Sequence, residues 1–125
     1  MAILLDDLVT CAIVSSFDTY LTADASGAVC LEKDKGVGSS WKIEKIDEDR
    51  YSIINAEYGT YLRFNPDFLN IIDASAKAGD HTVWRIKRNN NRCFIKTYNN
   101  RYLQANANNK LGVTMTQADS AYFWL

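Results

Sequence analysis

The sequence lacks several features that would assign it to a familiar class. None of its apolar runs approaches the roughly 18 residues that a membrane-spanning helix requires. Residues 1–7 contain neither a basic segment nor a small-residue cleavage site, so we expect no secretory signal peptide. The 125-residue chain has three cysteines without paired spacing and no Asn-x-Ser/Thr glycosylation acceptor. These absences favour a cytoplasmic protein whose cysteines are small apolar side chains.

Catalytic and metal-binding motifs are equally scarce. His81 is the single histidine, and no Gly-x-Ser-x-Gly or comparable context accompanies it. One histidine and three cysteines without ligand spacing do not predict a zinc site. The segment 36–40, Gly-Val-Gly-Ser-Ser, lacks the lysine and the following helix of a phosphate-binding loop. We therefore expect a protein that is not an enzyme and that uses no metal or cofactor.

What the chain does contain is an internal repeat. The dipeptide Tyr-Leu recurs at a step of 41 residues, beginning at Tyr20, Tyr61 and Tyr102. Each Tyr follows an isoleucine by seven residues and an Asp, Gly or Asn by two residues, and each Tyr-Leu precedes an aromatic-x-aliphatic triplet. These positions are Ile13, Ile54 and Ile95; Asp18, Gly59 and Asn100; and the triplets that begin at Trp41, Trp84 and Phe123.

Each repeat predicts four short strands separated by turns. Between Tyr-Leu and the triplet lies an alternating pair of apolar residues, and alternation over a few residues is typical of strands. The Asp, Gly or Asn before each Tyr tolerates a left-handed backbone, so the same tight turn is predicted three times. The alternating pairs are Val29/Leu31, Leu69/Ile71 and Leu111/Val113.

Three units of four strands can close around a pseudo-threefold axis. Closure gives a six-stranded barrel capped by three hairpins, which is the β-trefoil, and it protects the sheet edges that an isolated unit would expose. We predict a single all-β domain over residues 1–125, with units at approximately 8–47, 48–88 and 89–125. A three-bladed propeller would also have four strands per unit, but propellers typically have four to eight blades.

The repeated pattern resembles two groups of β-trefoil proteins. Ile-x6-Tyr-Leu, a short strand and Trp/Phe-x-Ile/Leu together are similar to the units of the fascin and hisactophilin group, over essentially the whole chain. That resemblance implies binding to actin, without the histidine-rich pH switch of hisactophilin. Similarity to amaranthin-like and ricin-B-like lectins is weaker and implies binding to sugars. The Gln-x-Trp triplet of the ricin-B-like group is missing here, as residues 39–41, 82–84 and 121–123 show.

A stretch of bases without acids is the strongest candidate site. The net charge is −1, yet residues 81–118 contain no Asp or Glu. Alternation along the fourth strand of the second unit puts Arg85 and Lys87 outward and Trp84 and Ile86 inward. We predict that six bases on consecutive strands share a surface that docks actin or another acidic partner. They are Arg85, Lys87, Arg88, Arg92, Lys96 and Arg101.

The sequence is also compatible with other interpretations of these bases and with other partners. The basic residues could be ordinary solvated strand faces, or they could contact the acidic residues of a second copy in weak self-association. Nucleic acid is not expected, because the isoelectric point is near 5.7. If the chain is a lectin, we expect up to three sites in the loops after the Tyr-Leu strands, where Asp24, Asn65 and Asn106 offer polar side chains.

Overall fold

The structure is a computed structural model that describes residues 9–65, 71–90, 92–106, 108–115 and 122–125. Its regular structure is almost entirely β. The first unit contains β1 (Val9–Ala12), β2 (Val14–Ser15), β3 (Tyr20–Ala23), β4 (Val29–Glu32) and β5 (Ser40–Lys45). The second contains β6 (Arg50–Asn55), β7 (Tyr61–Asn65), β8 (Ile71–Ser75) and β9 (Val83–Asn89). The third contains β10 (Arg92–Lys96), β11 (Tyr102–Ala105), β12 (Leu111–Thr114) and β13 (Tyr122–Trp124).

The strand pairing closes a barrel. The order β1-β5-β6-β9-β10-β13-β2 begins and ends on one interrupted strand, because only Ile13 separates β1 from β2. This strand therefore pairs with β5 through β1 and with β13 through β2, and the barrel has six strands. The hairpins β3–β4, β7–β8 and β11–β12 branch from β2, β6 and β10. A six-stranded barrel with three hairpins confirms the predicted β-trefoil.

Cross-strand register identifies the positions that are equivalent in the three units. In each unit the first strand pairs antiparallel with the fourth, and the aromatic residue of the triplet faces one residue of the first strand. The three pairs are Cys11–Trp41, Tyr51–Trp84 and Cys93–Phe123. Counting from these pairs relates every barrel residue of one unit to a residue of the other two.

The core lies where the repeated residues meet. Leu21, Leu62 and Leu103, the leucines of the three Tyr-Leu dipeptides, are fully buried. The aromatic residues of the triplets are also buried. Two of them are tryptophans, and their indole N–H groups connect the barrel to its cap. Trp41 donates to the carbonyl oxygen of Leu21, and Trp84 donates to that of Leu62, each at 2.8 Å. The tyrosines of the dipeptides are only half-buried.

The predicted left-handed turns are confirmed. The φ angles of Asp18, Gly59 and Asn100 are 61°, 68° and 64°. A buried polar side chain starts each turn. These turn-starting residues are Ser15, Asn55 and Thr97.

The second unit departs from the exact 41-residue spacing. Its turn runs from Asn55 to Thr60, one residue longer than Ser15–Thr19 in the first unit. The extra residue shifts the register, so Ile53 is the fully buried residue at this level and Ile54 is half-buried. The repeat predicts that all three recurring isoleucines lie in the core, and for Ile54 that prediction is wrong because of this shift in register.

The hairpin of the second unit is also longer than its counterparts. Leu62 pairs with Ala74 and Phe64 with Ile72, so Ile72 and Ala74 are the buried residues of β8. The predicted pair Leu69/Ile71 is therefore wrong in register. Leu69 lies outside the described residues, and Ile71 is the first residue of β8.

The described part of the chain contains no helix with the length and hydrophobicity that a membrane span requires.

Candidate functional site

A cleft lies where the second unit meets the third, and we call it cleft A. Its volume is about 300 Å³. The start of β6, the short 3-10 turn before β9, β9 itself and the turn after β10 all contribute to its walls. The lining residues are Arg50, Asp80, His81, Val83, Arg85 and Tyr98.

Two stacked rings form part of the wall of cleft A. The centroids of His81 and Tyr98 are 4.8 Å apart, and their planes are inclined by 24°. Tyr98 also packs against the hydrophobic core, with its ring centroid 6.4 Å from that of Phe64. The core thus fixes the position of the Tyr98 ring at the cleft.

Two arginines face each other across cleft A. Arg50 and Arg85 are directly opposite in the β6–β9 register, and like charges in such a pair repel. The β5–β6 connection supplies compensating carboxylates. Arg50 Nε donates to Asp47 at 2.7 Å, and this interaction lowers the pKa of Asp47. Arg85 Nε lies 4.0 Å from Asp49, and its Nη1 donates to Asn100 at 3.4 Å. The arginines are thereby oriented, while Arg85 retains donor capacity.

Asp80 is the carboxylate that lines cleft A. It opens the 3-10 turn Asp80–Thr82. Asp80 and His81 also border an adjoining cleft of about 440 Å³. Arg63 lines this second cleft as well, and its guanidinium forms an ion pair with Asp73 at 2.6 Å. Cleft A therefore combines a carboxylate acceptor, guanidinium donors and an aromatic wall within a small space.

A second site, cleft B, lies where the third unit meets the first. It consists of two neighbouring depressions of about 400 and 290 Å³ that share Arg92, Tyr122 and Trp124. Asn89 and Asn90 complete one depression. Ser16 completes the other.

The guanidinium of Arg92 lies over aromatic rings in cleft B. Its Cζ atom is 4.6 Å from the centroid of Tyr122 and 5.7 Å from that of Trp124. Tyr122 in turn lies 4.4 Å from the ring of Phe94, which is buried on the strand that carries Arg92. Cation–π contacts of this kind orient an otherwise flexible arginine.

Clefts A and B are related by the pseudo-threefold symmetry. Arg50 and Arg92 precede the equivalent residues Tyr51 and Cys93, so the two arginines occupy the same position in their units. By the same register Val83 corresponds to Tyr122, and Arg85 corresponds to Trp124. The serine or tyrosine that follows each turn-starting residue, Ser16 or Tyr98, completes the match.

The third equivalent position has a different composition. The register places Thr10, Ser40 and Lys42 where cleft A has Arg50, Val83 and Arg85. Neither an arginine nor an aromatic residue occupies these three positions. Since Lys42 is exposed there, it provides a matched control position for experiments on the two clefts.

The six predicted basic residues do not have a common environment. Arg85 and Lys96 lie opposite each other on β9 and β10, and Lys87 is exposed two residues beyond Arg85. These placements confirm the predicted outward alternation along β9. The ammonium of Lys96 lies 5.3 Å from the centroid of Tyr102. The backbone N–H of Arg101 closes a turn by donating to Thr97 Oγ1 at 3.0 Å.

Arg88 and Arg92 differ from the other bases. Arg88 is opposite Cys93 in the register and hydrogen bonds to its thiol, which partly offsets the rise that burial causes in the pKa of Cys93. Arg92 belongs to cleft B. The outward basic surface of β9 and β10 is therefore formed chiefly by Arg85, Lys87 and Lys96.

The three residues predicted for sugar binding lie at the hairpin ends. Asp24 Oδ1 accepts the N–H groups of Ser26 and Ala28 and the hydroxyl of Ser26 at 2.6–3.1 Å, which lowers the pKa of Asp24. Asn106 Oδ1 similarly accepts backbone N–H groups within its own loop. Asn65 ends β7. None of the three lines cleft A or cleft B.

Two of the predicted basic residues line the clefts, Arg85 in cleft A and Arg92 in cleft B, but sequence reasoning missed the other principal residues. Tyr98, His81 and Asp80 come from turns, and Trp124 comes from the last strand. The sequence signal that could have located the two clefts was the arginine that begins the first strand in two of the three units. Among the described residues, no cluster of three or more His, Cys, Asp or Glu side chains could hold a metal ion.

Comparison with solved structures finds the same fold in other proteins. SeviL, solved bound to the asialo-GM1 saccharide, matches with a TM-score of 0.79 at 14% identity, over 94% of this chain and 96% of SeviL. The designed threefold-symmetric protein ThreeFoil matches with a TM-score of 0.78 at 13% identity, over 92% of this chain and 96% of ThreeFoil. The fold is a β-trefoil. No family model and no curated protein matches the chain, and at these identities the structural similarity is evidence of fold alone.

Proposed function

We propose that this chain is a non-enzymatic β-trefoil that binds carbohydrate, with cleft A as a site for a neutral sugar ring. The observation that carries the proposal is the composition of cleft A. A sugar presents hydroxyl groups around its edge and C–H groups on its faces. Asp80 can accept from hydroxyls, Arg50 and Arg85 can donate to them, and Tyr98 and Val83 offer apolar surface.

The shape of cleft A also supports this ligand class. Its volume of about 300 Å³ lies at the lower end of the range for small-molecule sites, which is about 300–1,000 Å³. Such a cleft has room for one sugar ring with its neighbour extending into solvent. SeviL, a protein of the same fold, was solved with a saccharide bound.

Actin binding gains no comparable support. The bases predicted for an acidic partner do not form one surface, because Arg88 faces Cys93, Arg92 lies in cleft B and Arg85 lines cleft A. Actin binding therefore stays a prediction from the sequence resemblance, and a cytoplasmic location stays a prediction from the cysteines and the missing glycosylation acceptor.

A glycan array followed by calorimetry tests the proposal. The array identifies neutral glycans that bind, and titration of the best one gives its affinity. The variants Asp80→Asn and Arg85→Gln should each weaken binding by about tenfold or more, because hydrogen bonds to charged groups contribute about 1.5–3 kcal/mol.

Lys42→Gln is the matched control, because Lys42 occupies the position of Arg85 at the third interface. It removes one exposed positive charge without touching either cleft, and binding should be unchanged. An array without any bound glycan, or equal losses in Arg85→Gln and Lys42→Gln, would contradict the proposal. Thermal unfolding of each variant confirms that the fold is retained.

A further inference from the structure

The two clefts differ in charge. Cleft A contains the Asp80 carboxylate, and its arginines face Asp47 and Asp49. Among the described residues that line cleft B, the ionisable side chains are one arginine and one tyrosine, and there is no carboxylate. Within the part of the chain that the structure describes, cleft B therefore presents a positive charge without a lining carboxylate.

Arg92 is arranged for recognition of an anion. Its guanidinium lies over Tyr122 and Trp124, with Cζ–centroid distances of 4.6 and 5.7 Å. A guanidinium has five N–H donors in a planar fork, and Arg92 is exposed, so it can still donate to a planar or tetrahedral oxyanion while its charge lies over the rings. Two parallel N–H···O bonds from such a fork match a carboxylate or a sulfate.

Neutral donors surround this cation. Asn89 and Asn90 line one side of cleft B, and Ser16 lines the other. Asn90 has a φ of 59°, a left-handed conformation that asparagine tolerates better than most residues. The amides and the hydroxyl can bind the hydroxyl groups of a sugar whose anionic group is held by Arg92.

The charged residues around cleft B also favour the binding of an anion. Lys87 is exposed on β9, two residues before Asn89. The surrounding span 81–118 has no acidic residue. Such a field raises the rate of association with anions and weakens as salt is added.

We propose that cleft B binds a saccharide that carries an anionic group, either a carboxylate or a sulfate, while cleft A binds neutral sugar. The inference rests on the proposed carbohydrate-binding function and adds a second ligand class to it. Trp124 occupies in cleft B the position that Arg85 occupies in cleft A, so divergence at equivalent positions gives the chain two specificities.

Matched pairs of glycans test the inference. A sialylated glycan is compared with its asialo form, a glucuronide with the corresponding glucoside, and a sulfated glycan with its unsulfated form. Wild-type protein should prefer the acidic member of at least one pair, and the preference should decrease as salt rises from about 0.05 to 0.15 M. The first two pairs report on carboxylate and the third on sulfate.

Variants assign the preference to cleft B. Arg92→Gln should remove it by lowering affinity for the acidic member about tenfold, with little effect on the neutral member. Arg92→Lys should recover only part of it, because an ammonium keeps the charge but lacks the planar fork. The matched control is Lys42→Gln, which removes an exposed positive charge at the third equivalent position, outside both clefts, and should leave the acidic preference intact.

The outcomes separate this inference from the proposed function. Equal affinity for acidic and neutral members, or an acidic preference that survives Arg92→Gln, overturns the inference while carbohydrate binding stands. Absence of all glycan binding overturns both. If Arg92→Gln abolishes co-sedimentation with actin filaments and no acidic glycan binds, the anionic partner is a protein and the inference is wrong.

Discussion

Replacing Trp84 by phenylalanine tests how the barrel is joined to its cap. The indole N–H of Trp84, on β9, donates to the carbonyl of Leu62, on β7, at 2.8 Å, and both side chains are fully buried. Phenylalanine preserves most of the ring but cannot donate. The carbonyl of Leu62 would then lose this partner at a buried position.

Two effects set the expected loss of stability. A buried polar group left without its partner costs about 1–3 kcal/mol. The smaller ring leaves a void of roughly 40 Å³, which at about 24 cal/mol per Å³ adds about 1 kcal/mol. Trp84→Phe should therefore lower the free energy of unfolding by about 2–4 kcal/mol, which a domain with about 5–15 kcal/mol can survive.

Urea denaturation measures this loss, with the slope m expected to be unchanged because the same surface is exposed on unfolding. Trp41→Phe is the matched variant, since its indole makes the equivalent 2.8 Å bond to Leu21, and its loss should agree with that of Trp84→Phe within about 1 kcal/mol. The third equivalent position, Phe123, is already phenylalanine. Losses below about 0.5 kcal/mol in both tryptophan variants would refute the reasoning.

Three further predictions concern stability. Gly38→Ala should prevent folding or destabilise strongly in thermal denaturation, because a Cβ there would lie 1.8 Å from the Ala23 carbonyl oxygen, whereas Gly79→Ala, with nothing within 4 Å, should be tolerated. Asn55→Ala should cost about 2–4 kcal/mol in urea titrations, because it removes the 2.9 Å bond to the Gly38 carbonyl and two turn-closing bonds at a buried site. Burial raises the pKa of the Cys11 thiol from 9.0 to about 11, so the unfolded chain ionises first and stability should fall as pH rises across that interval. The fall should be smaller in Cys11→Ala, and an equal fall in both proteins would contradict this assignment.

Much of the fold could be predicted because the repeat carries it. Leu21, Leu62 and Leu103 recur at a fixed step, and each is fully buried. The left-handed residues before each Tyr were predictable from side-chain chemistry. The second unit was harder, because an insertion in a turn changes which residue of a strand faces inward, as at Ile53 and Ile54.

The candidate site was much less predictable. The clefts form between units, where residues distant in sequence meet, such as Arg50 with Tyr98 and Ser16 with Trp124. No local sequence motif predicts which of these distant residues come together. Alternation predicted which bases point outward on β9, but it could not show that Arg92 lies over two aromatic rings.

A crystal structure of the protein soaked with the best neutral glycan from the array tests the central claim most directly. We predict density for a sugar ring in cleft A, with hydroxyl groups within hydrogen-bonding distance of Asp80 and Arg85 and a ring face toward Tyr98 or Val83. Density at the hairpin ends beside Asp24 or Asn106 would instead support the sites predicted from sequence. Either that result, or an empty cleft A at a glycan concentration well above the dissociation constant, would contradict the account.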